Sequence, residues 1–586
     1  MTKRTIYYSL ILFTILLSSC KKSFFDINTD PSNPTKVAVS QILPTAESSL
    51  AGSLGISGGN TPGLGQVLGT YVHQLCSNED PDAYGATGSD YYLNLSWDNL
   101  YAGNSLATNS GVNYTQGTLL NLQNIITEAT AQGNTQYAGI AKVLTAYTYS
   151  QLVDIFGNVP FSQALQLQQG IINPKFDSGS VIYPQLMSML DSGIADLKNT
   201  TAPNLLKPGA DDIIYGGSIS NWVRAANTIK LKLLLQQRLI KNVTSDVNAL
   251  ITGNDLISST SQSFLLHYGP NGSSDDRNPG FSDYYATQKT NFISPWFYSI
   301  LKGYNPRLFK NIVDPRLPYY FYEQQDPTAA DNDGNKVEYR DSGFISIVFA
   351  SIGPNGTFVQ DNSMTVLGLY PVGGRYDDGL PTPSSGGANK IVKSSDATGA
   401  APYRFITYAD VLFMEAELMK TGVISGDPEA TLQAALVESM KQVDFVTGLV
   451  NTSQSVPNLS GSAAATNYIS SIMSYYEANP SQQLEIIMTE KWITAFGQCA
   501  DQYTDYRRTQ FPVLFNPNDP TVCPGGFYQP PVNGDPSTPG PQLAVPVRLT
   551  TNYPLSLPFG QNELDGNQNA PAQKQDPSTY KVFWMP

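Results

Sequence analysis

Several stretches of the chain carry apolar residues at the spacing of an α-helix, and this periodicity restricts the fold more than any other feature. "YAGIAKVLTAYTYSQLVDIFGN" places on one face Ala141, Leu144, Thr145, Thr148, Leu152 and Ile155. "ISNWVRAANTIKLKLLLQQRLIKN" repeats the pattern with Trp222, Ala226, Ile229, Leu233 and Leu234. Apolar residues at steps of three and four form the buried stripe of a helix. The pattern therefore predicts long amphipathic helices.

The second half of the chain predicts further helices together with their ends. "RFITYADVLFMEAELMKTG" places on one face Phe405, Ala409, Leu412, Phe413, Ala416 and Met419, and Gly422 ends it. Asp427 and Pro428 open the next helix as N-cap and first helical residue. "SQQLEIIMTEKWITAFGQ" predicts a helix from Ser481 to Gly497. Helices joined by short turns indicate antiparallel hairpins of the tetratricopeptide type, without a strict repeat. The predicted fold class is all-α dominated.

The composition of residues 260–400 predicts a loop-rich insertion. This part is rich in Gly, Asn, Asp and Tyr, with β-like runs such as "GFISIVFAS" and turn signals such as "DNDGNK" and "GPNG". It predicts long irregular loops and a few short β-hairpins. Residues 511–586 hold 15 of the 40 prolines, which excludes regular helix there and predicts an extended tail wrapped over the body. We expect a single body, 20–586, with helical parts at about 40–260 and 400–510.

The N-terminus predicts a removable signal and a lipid anchor. Lys3 and Arg4 precede an apolar stretch, Ile6 to Leu17, which is too short to span a membrane. The "LSSC" that ends at Cys20 resembles a bacterial lipobox. Residues 1–19 are therefore predicted to be a lipoprotein signal peptide, with Cys20 lipidated and an outer-membrane lipid as its partner. An anchor with two or more chains holds a protein stably on a membrane.

Composition argues against several classes of function. The formal charge is −14, so nucleic acid is a poor partner for this chain. With only His73 and His267, and with no C-x-x-C, no three-histidine, zinc or iron–sulfur site is expected. No serine-hydrolase, zinc-protease or nucleotide-binding motif occurs, so we expect no catalytic residue, metal or cofactor. A glycoside hydrolase with two carboxylates stays open, because 48 acidic residues offer many pairs.

The order of motifs along the chain resembles the SusD/RagB-like lipoproteins, and in particular the branch that opens with "DINTDP". After the lipobox come "DINTDPSNPTKV", "SWDNLYAG", "AKVLTAYTYSQLVDIFGNVPFSQAL", "DPRLPYY", "ITYADVLFMEAEL" and "EKWITAFGQCADQYTDYRRTQFP". "VPVRLTTNYP" matches the closing motif loosely, and the acidic residue expected near Leu557 is missing. The resemblance covers essentially the whole chain after Cys20.

The resemblance implies a lipoprotein on the outer membrane of a Gram-negative bacterium, facing the cell exterior. It implies a helical fold with four tetratricopeptide-like hairpins and no enzymatic activity. The protein would sit as a lid on a SusC-like TonB-dependent transporter and deliver oligosaccharides to it. Some members of the family take peptides instead, and this alternative stays open.

A binding site for sugars needs flat aromatic faces and a polar rim. The loops offer these as candidates: Tyr84, Tyr268, Asp276, Arg277, Tyr284, Tyr285, Trp296, Arg375, Tyr376 and Asp377. The alternative for each aromatic residue is that it anchors its loop to the body. Core positions are expected for Trp97, Trp492, Tyr147 and Tyr149, and ion pairs for Glu490, Lys491, Arg507 and Arg508. In "DNDGNKVE" the spacing favours a hairpin turn over a calcium loop.

Overall fold

The computed structural model describes most of the chain. The described residues are 37–56, 63–77, 84–103, 105–108, 111–114, 117–273, 275–282, 285, 291–305, 307–326, 338–352, 363–380, 397–450, 454–516 and 546–586. The predicted signal peptide, the lipobox with Cys20, the "DINTDP" motif, the turn "DNDGNK" and the second "GPNG" (353–356) lie outside these ranges, whereas the first "GPNG" (269–272) lies within them.

Helices are the main regular structure of the described chain, as the periodicity predicts. In the first half they are α1 (Val39–Leu54), α2 (Gly65–Tyr71), α3 (Tyr91–Tyr101), α4 (Thr118–Gln132), α5 (Thr135–Phe156), α6 (Gly179–Leu197), α7 (Ile219–Gln237) and α8 (Thr244–Gly253). Short helices follow at α9 (Pro279–Phe281), α10 (Pro295–Leu301), α11 (Leu317–Tyr320) and α12 (Leu369–Val372). The second half adds α13 (Tyr408–Lys420), α14 (Pro428–Leu449), α15 (Ala463–Ala478), α16 (Gln483–Thr494), α17 (Cys499–Thr509) and α18 (Gln561–Gly566).

The strands are short and form two-stranded antiparallel sheets. They are β1 (Leu75–Ser77), β2 (Ser105–Thr108), β3 (Gly111–Tyr114), β4 (Val159–Pro160), β5 (Phe176–Asp177), β6 (Phe264–Leu266), β7 (Asn291–Ile293), β8 (Phe321–Tyr322), β9 (Tyr339–Asp341), β10 (Phe344–Ser346), β11 (Val366–Leu367) and β12 (Tyr403–Ile406). The pairs β2–β3, β4–β5 and β9–β10 join neighbouring strands, whereas β1–β7, β8–β11 and β6–β12 join distant segments. Half of these described sheets therefore join strands that are neighbours in the chain, and the other half fasten distant segments to one another.

Consecutive helices pack as hairpins, which confirms the predicted fold class. Only Gly133 and Asn134 separate α4 from α5, and Gly133 has a φ of 71°, a conformation that glycine adopts readily. Helix α5 also packs on α6, and α13 packs on both α14 and α16. The crossing of α5 and α6 is close, because a Cβ on Gly139 would lie 2.8 Å from the carbonyl oxygen of Gly193.

Helix α5 differs from the amphipathic helix that its sequence predicts. From Tyr137 to Phe156 every residue except Lys142 is buried, so no face is left to solvent. The helix packs against α4, α6, α7 and α17. A helix that is covered on all sides lies at the centre of its fold, and its polar residues must then find partners inside the protein.

The helix predicted from "RFITYADVLFMEAELMKTG" begins later than its periodicity indicates. Phe405 belongs to β12, which pairs with β6, and α13 begins only at Tyr408. The Thr407 hydroxyl accepts a hydrogen bond from the Asp410 backbone N–H, while the Asp410 carboxylate accepts one from the Thr407 N–H. This reciprocal cap fixes the helix start, and it could have been identified from the sequence.

The tail does contain a helical turn, so the expectation of no regular helix after Phe511 is wrong for α18. No proline interrupts residues 559–570, which leaves that stretch free to coil. The rest of residues 546–586 is largely extended and lies on the end of α5. The Lys574 Nζ donates to the carbonyl oxygens of Phe156 and Leu557, at 2.7 and 2.6 Å. The Trp584 Nε1 donates to Asp154 Oδ1 at 2.8 Å.

The predicted ion pairs form with one exception. Lys491 pairs with Asp505, and Arg508 pairs with Glu417 and Asp505. Burial favours a neutral Glu417, but the charges of Arg508 and Arg238 outweigh it and lower the pKa of that carboxyl. Arg507 instead donates to backbone carbonyls, including those of Asp154 and Leu555. It thereby joins α17 to the tail.

Arg316 connects the loop-rich insertion to the helical body. Its guanidinium pairs with Asp314 at 2.6 Å and with Glu490 of α16 at 2.9 Å, and all three side chains are buried. It also donates to the side chains of Ser439 in α14, Thr494 in α16 and Tyr468 in α15. A single side chain thus contacts three helices from the loop that precedes α11.

Replacing Arg316 with alanine leaves two buried carboxylates without a cation. We expect the free energy of unfolding to fall by about 3–5 kcal/mol, measured by urea unfolding of the full-length protein followed by tryptophan fluorescence. Arg224→Ala is the control, because the Arg224 side chain is 27 % exposed and lies 3.9 Å from Asp255. A pair of that kind is worth less than about 1 kcal/mol. Equal losses in the two variants would contradict this account.

Candidate functional site

Two of the predicted binding residues, Tyr84 and Trp296, lie in a buried aromatic cluster. Tyr84 is 6 % exposed and Trp296 is 3 % exposed. The Trp296 ring lies 5.9 Å from Phe515, and the Tyr84 ring lies 5.4 Å from Phe349. Both residues therefore anchor loops to the body in this structure. That either residue contacts a ligand stays a prediction, and neither belongs to the surface described below.

His73 connects this cluster to the chain beyond α17. Its Nδ1 accepts the backbone N–H of Phe515 at 3.1 Å, so the proton of the neutral ring sits on Nε2, 2.6 Å from the Tyr84 hydroxyl. The ring packs 4.0 Å from Phe349. Burial lowers the pKa of His73 from 6.5 to about 3. The imidazole is therefore neutral, and its role is structural.

Five other predicted residues form one continuous arrangement. The Arg277 guanidinium lies 5.4 Å from the Phe281 ring, which stacks on Tyr285 at 4.7 Å. The Tyr285 hydroxyl accepts the backbone N–H of Arg375 at 3.1 Å and donates to the Leu367 carbonyl at 2.7 Å. Tyr376 and Asp377 follow Arg375 in the chain. The structure thus brings together Arg277, Tyr285, Arg375, Tyr376 and Asp377, of which Tyr285 and Arg375 are buried.

Tyr376 lies half-buried at the surface of this arrangement. Its ring contacts the Tyr319 ring at 4.8 Å, and the Tyr319 hydroxyl is fixed by the Pro457 carbonyl at 2.5 Å. Gln454 holds the Tyr376 backbone from both sides, accepting its N–H at 3.1 Å and donating to its carbonyl at 2.9 Å. A ring held in this way is a rigid platform. We call Tyr319, Tyr376, Asp377, Asp378 and Gln454 the Tyr376 surface.

The two aspartates of the Tyr376 surface directly follow Tyr376 in the chain. Asp377 accepts the backbone N–H groups of Glu323 and Gly379, at 3.1 and 3.2 Å. Asp378 is exposed and accepts the Gln454 amide at 3.2 Å. Burial raises the pKa of Tyr376, a hydrogen bond with Tyr319 offsets part of this, and the negative charges of Asp377 and Asp378 add to the increase. Both carboxylates therefore act on the phenol that the surface presents.

The remaining predicted residues lie near this arrangement or outside the described chain. Tyr268 is half-buried and lines a narrow cleft together with Asn278 and Val372. Asp276 accepts the backbone N–H of Asn271 at 2.7 Å and so closes a local turn. Tyr284 lies outside the described residues.

Sequence reasoning missed Tyr319 and Gln454 as parts of the surface. Tyr319 is the penultimate residue of "DPRLPYY", so that motif gives a signal for it. Gln454 lies between α14 and α15, 78 residues from Tyr376 in the chain, and no local pattern marks it. Trp97 and Trp492 are buried, as predicted.

The Tyr376 surface can bind a ligand but offers no constellation for metal chemistry. Within the described ranges no group of three or more His, Cys, Asp or Glu side chains is placed to hold a metal ion. Cys76 and Cys499 are buried free thiols, and burial raises the pKa of both to about 12. Cys523 lies outside the described part of the chain.

A family model covers residues 84–525 of the chain, and its description is "Starch-binding associating with outer membrane". The chain belongs to this SusD-like family. Among curated proteins no relative matches. The SusD-like assignment places the chain among nutrient-binding proteins that are associated with the outer membrane.

Solved structures show the same SusD-like fold. A SusD/RagB family protein from Bacteroides thetaiotaomicron is 20 % identical, with a TM-score of 0.61 over 94 % of this chain and 99 % of that one. A chitin-binding protein is 18 % identical, with a TM-score of 0.60 over 94 % of this chain and the whole of the other. A SusD homolog from Bacteroides fragilis is 19 % identical, with a TM-score of 0.57 over 90 % and 94 %.

Among the helices that the structure describes, none combines the length and the apolar character needed to cross a bilayer.

The buried His73 makes stability depend on pH. Its pKa is depressed in the folded state, so its contribution is complete above pH 6.5 and is lost as the pH falls toward about 3. Between these two values only the unfolded chain protonates His73. We therefore expect the free energy of unfolding to fall by about 1.4 kcal/mol for each unit by which the pH is lowered. His73→Gln should remove this part of the slope, measured by urea unfolding of the full-length protein at several pH values.

His267→Gln is the matched control, because His267 is the other histidine of the chain and its side chain is exposed, so burial lowers its pKa less than that of His73. It should change the slope less. A His73→Gln slope identical to that of the unsubstituted protein would contradict the buried, neutral assignment.

Proposed function

We propose that this SusD-like protein binds oligosaccharides at the Tyr376 surface and delivers them to a SusC-like TonB-dependent transporter in the outer membrane. The description of its family names starch binding, and one structural relative is named a chitin-binding protein. Both names concern polymers of neutral sugars. They support a glycan as the ligand class.

The observation that carries the proposal is the geometry of Tyr376. Its ring is fixed from below by Tyr319 and along its backbone by Gln454. A half-exposed, rigid ring can stack on the C–H face of a sugar at little entropic cost. The carboxylate of Asp378 belongs to the same surface, and because it is exposed it can accept hydrogen bonds from sugar hydroxyls.

A protein of this kind needs no catalytic residue. Its task is to bind, hold and release the glycan unchanged, so we propose that it is not an enzyme. Because the glycan must pass on to a transporter, the protein should bind it with moderate affinity. A bound glycan would favour closure of the protein on the transporter only if it binds the closed arrangement better than the open one.

We further propose that the protein is lipid-anchored through Cys20 and faces the cell exterior. The lipobox-like sequence supports the anchor, and the family's association with the outer membrane supports the location. A stable lid on a transporter needs a large interface, above the ~1,600 Å² of a standard complex.

Tyr376→Ala removes the platform, and we expect it to weaken glycan binding about fivefold, because an aromatic contact is worth about 1 kcal/mol. The measurement is calorimetric titration of the full-length protein with maltohexaose and with N-acetylchitohexaose. The detergent must not carry a sugar headgroup, since that would compete. Tyr580→Ala is the control, because Tyr580 is 42 % exposed and lies in the tail.

Each glycan is then recovered and its mass is measured. An intact glycan that binds more weakly to Tyr376→Ala, and normally to Tyr580→Ala, supports the proposal. Binding to mixed peptides alone would favour a peptide-binding member of the family. A shortened glycan would favour a hydrolase, and unchanged binding in Tyr376→Ala would place the site elsewhere.

A further inference from the structure

We infer that the narrow cleft between Tyr268 and Arg404 is a binding site for one small monovalent anion of the size of chloride. We call it the Arg404 cleft, and its lining includes Ile56, Tyr268, Asn278, Val372, Arg404 and Gly497. The inference does not depend on the proposed function. Three observations carry it: the charge of the lining, an unmatched donor of Arg404 and the size of the cleft.

Arg404 gives the cleft a positive lining. It is 3 % exposed, and it is the only charged residue among the described residues that line the cleft. Its Nη1 donates to the Tyr370 carbonyl at 3.1 Å, its Nη2 donates to the Phe496 carbonyl, and its guanidinium lies 4.2 Å from the Tyr370 ring. These partners are neutral, and none of the carboxylates that the structure describes pairs with Arg404. A buried charge without a counter-ion is costly, so an anion beside it would be stabilising.

Two carboxylates in this part of the protein are offset by lysines. Asp410 and Asp501 act on the same buried tyrosines as Arg404. Asp501 pairs with Lys232. Burial raises the pKa of Asp410, and the positive charge of Lys491 opposes this increase. Each carboxylate thus has a lysine that balances it, and the described protein leaves Arg404 without a counter-charge.

The guanidinium of Arg404 also has a donor to offer. Its Nε is buried and has no hydrogen-bond acceptor among the described residues. The guanidinium borders the cleft, because a Cβ on Gly497, which also lines it, would lie 3.1 Å from the Arg404 Nη2. A buried N–H without an acceptor destabilises the folded state. An anion in the cleft would supply both an acceptor and the missing negative charge.

The size of the cleft restricts the anion. Its volume is about 10 Å³, which is room for one particle of roughly the size of a water molecule. Sulfate, phosphate and the carboxylate of a sugar are too large for this space. A single halide ion fits the charge and the size together, whereas a water molecule would leave the guanidinium without a counter-ion.

A bound anion would also join segments that are distant in the chain. Ile56 follows α1, Asn278 caps α9, Val372 ends α12 and Arg404 belongs to β12. Val372 precedes Tyr376 by only four residues. We therefore expect the anion to stabilise the folded protein close to the base of the Tyr376 surface.

The test measures urea unfolding of the full-length protein in chloride and in gluconate, an anion too large for the cleft, at the same ionic strength. One chloride ion bound only to the folded state lowers the unfolding equilibrium constant by up to about tenfold for each tenfold rise in chloride. We expect this dependence in the unsubstituted protein and its loss in Arg404→Gln. Arg224→Gln is the control and should keep the dependence, because the Arg224 side chain is 27 % exposed and lies 3.9 Å from Asp255.

Bromide locates the ion directly and does not require a substituted protein that folds. Crystals of the unsubstituted full-length protein are soaked in bromide, which its anomalous scattering identifies. We expect an anomalous peak beside the Arg404 guanidinium.

Each outcome decides the inference. A bromide peak beside Arg404, with a chloride dependence that Arg404→Gln loses, supports it. Equal stability in chloride and in gluconate, or crystals without bromide at Arg404, would overturn it and assign the space to water. A chloride dependence that persists in Arg404→Gln would overturn it as well, because the ion then binds elsewhere. If Arg404→Gln does not fold, the bromide crystals decide alone.

Discussion

The buried guanidinium of Arg316 is the interaction on which the arrangement of this protein depends. A charge without water needs partners of opposite sign and acceptors for its hydrogens, and Asp314, Glu490, Ser439, Thr494 and Tyr468 supply them. These partners belong to the insertion and to α14, α15 and α16. Hydrophobic packing alone would tolerate small shifts of the insertion over these helices, but a network of directed bonds allows one position.

That position determines where the candidate site lies. The Arg316 carbonyl accepts the backbone N–H groups of Tyr319 and Tyr320, so α11 begins at the fixed arginine. Tyr319 is thereby held against Tyr376, and Gln454, between α14 and α15, completes the support. The helical hairpins serve as a rigid base, and the loops that they carry present the binding surface. This division of labour between scaffold and loops is common among binding proteins.

The sequence predicts this fold well where one periodicity dominates. The helices α5, α7, α14 and α16 follow from apolar spacing and from caps such as Asp427. Spacing does not reveal that α5 is covered on all sides, because burial depends on neighbours that are distant in sequence. For the same reason the sequence predicts Tyr84 and Trp296 to be aromatic residues of loops, whereas the structure buries both. Tyr84 packs next to Phe349, and Trp296 packs next to Phe515. Tyr376 is a candidate that the sequence predicts, but Gln454 reaches its backbone only through the packing of α14 and α15.

Hydrogen–deuterium exchange of the full-length protein, with and without the neutral hexamer that it binds, tests the central claim most directly. If the Tyr376 surface is the binding site on a rigid base, amide exchange should slow at residues 319–323 and 375–380 when the glycan is added. Exchange in the α5–α6 hairpin and in the tail around Trp584 should stay the same. Slower exchange confined to segments away from Tyr319 and Tyr376 would contradict this account of the site.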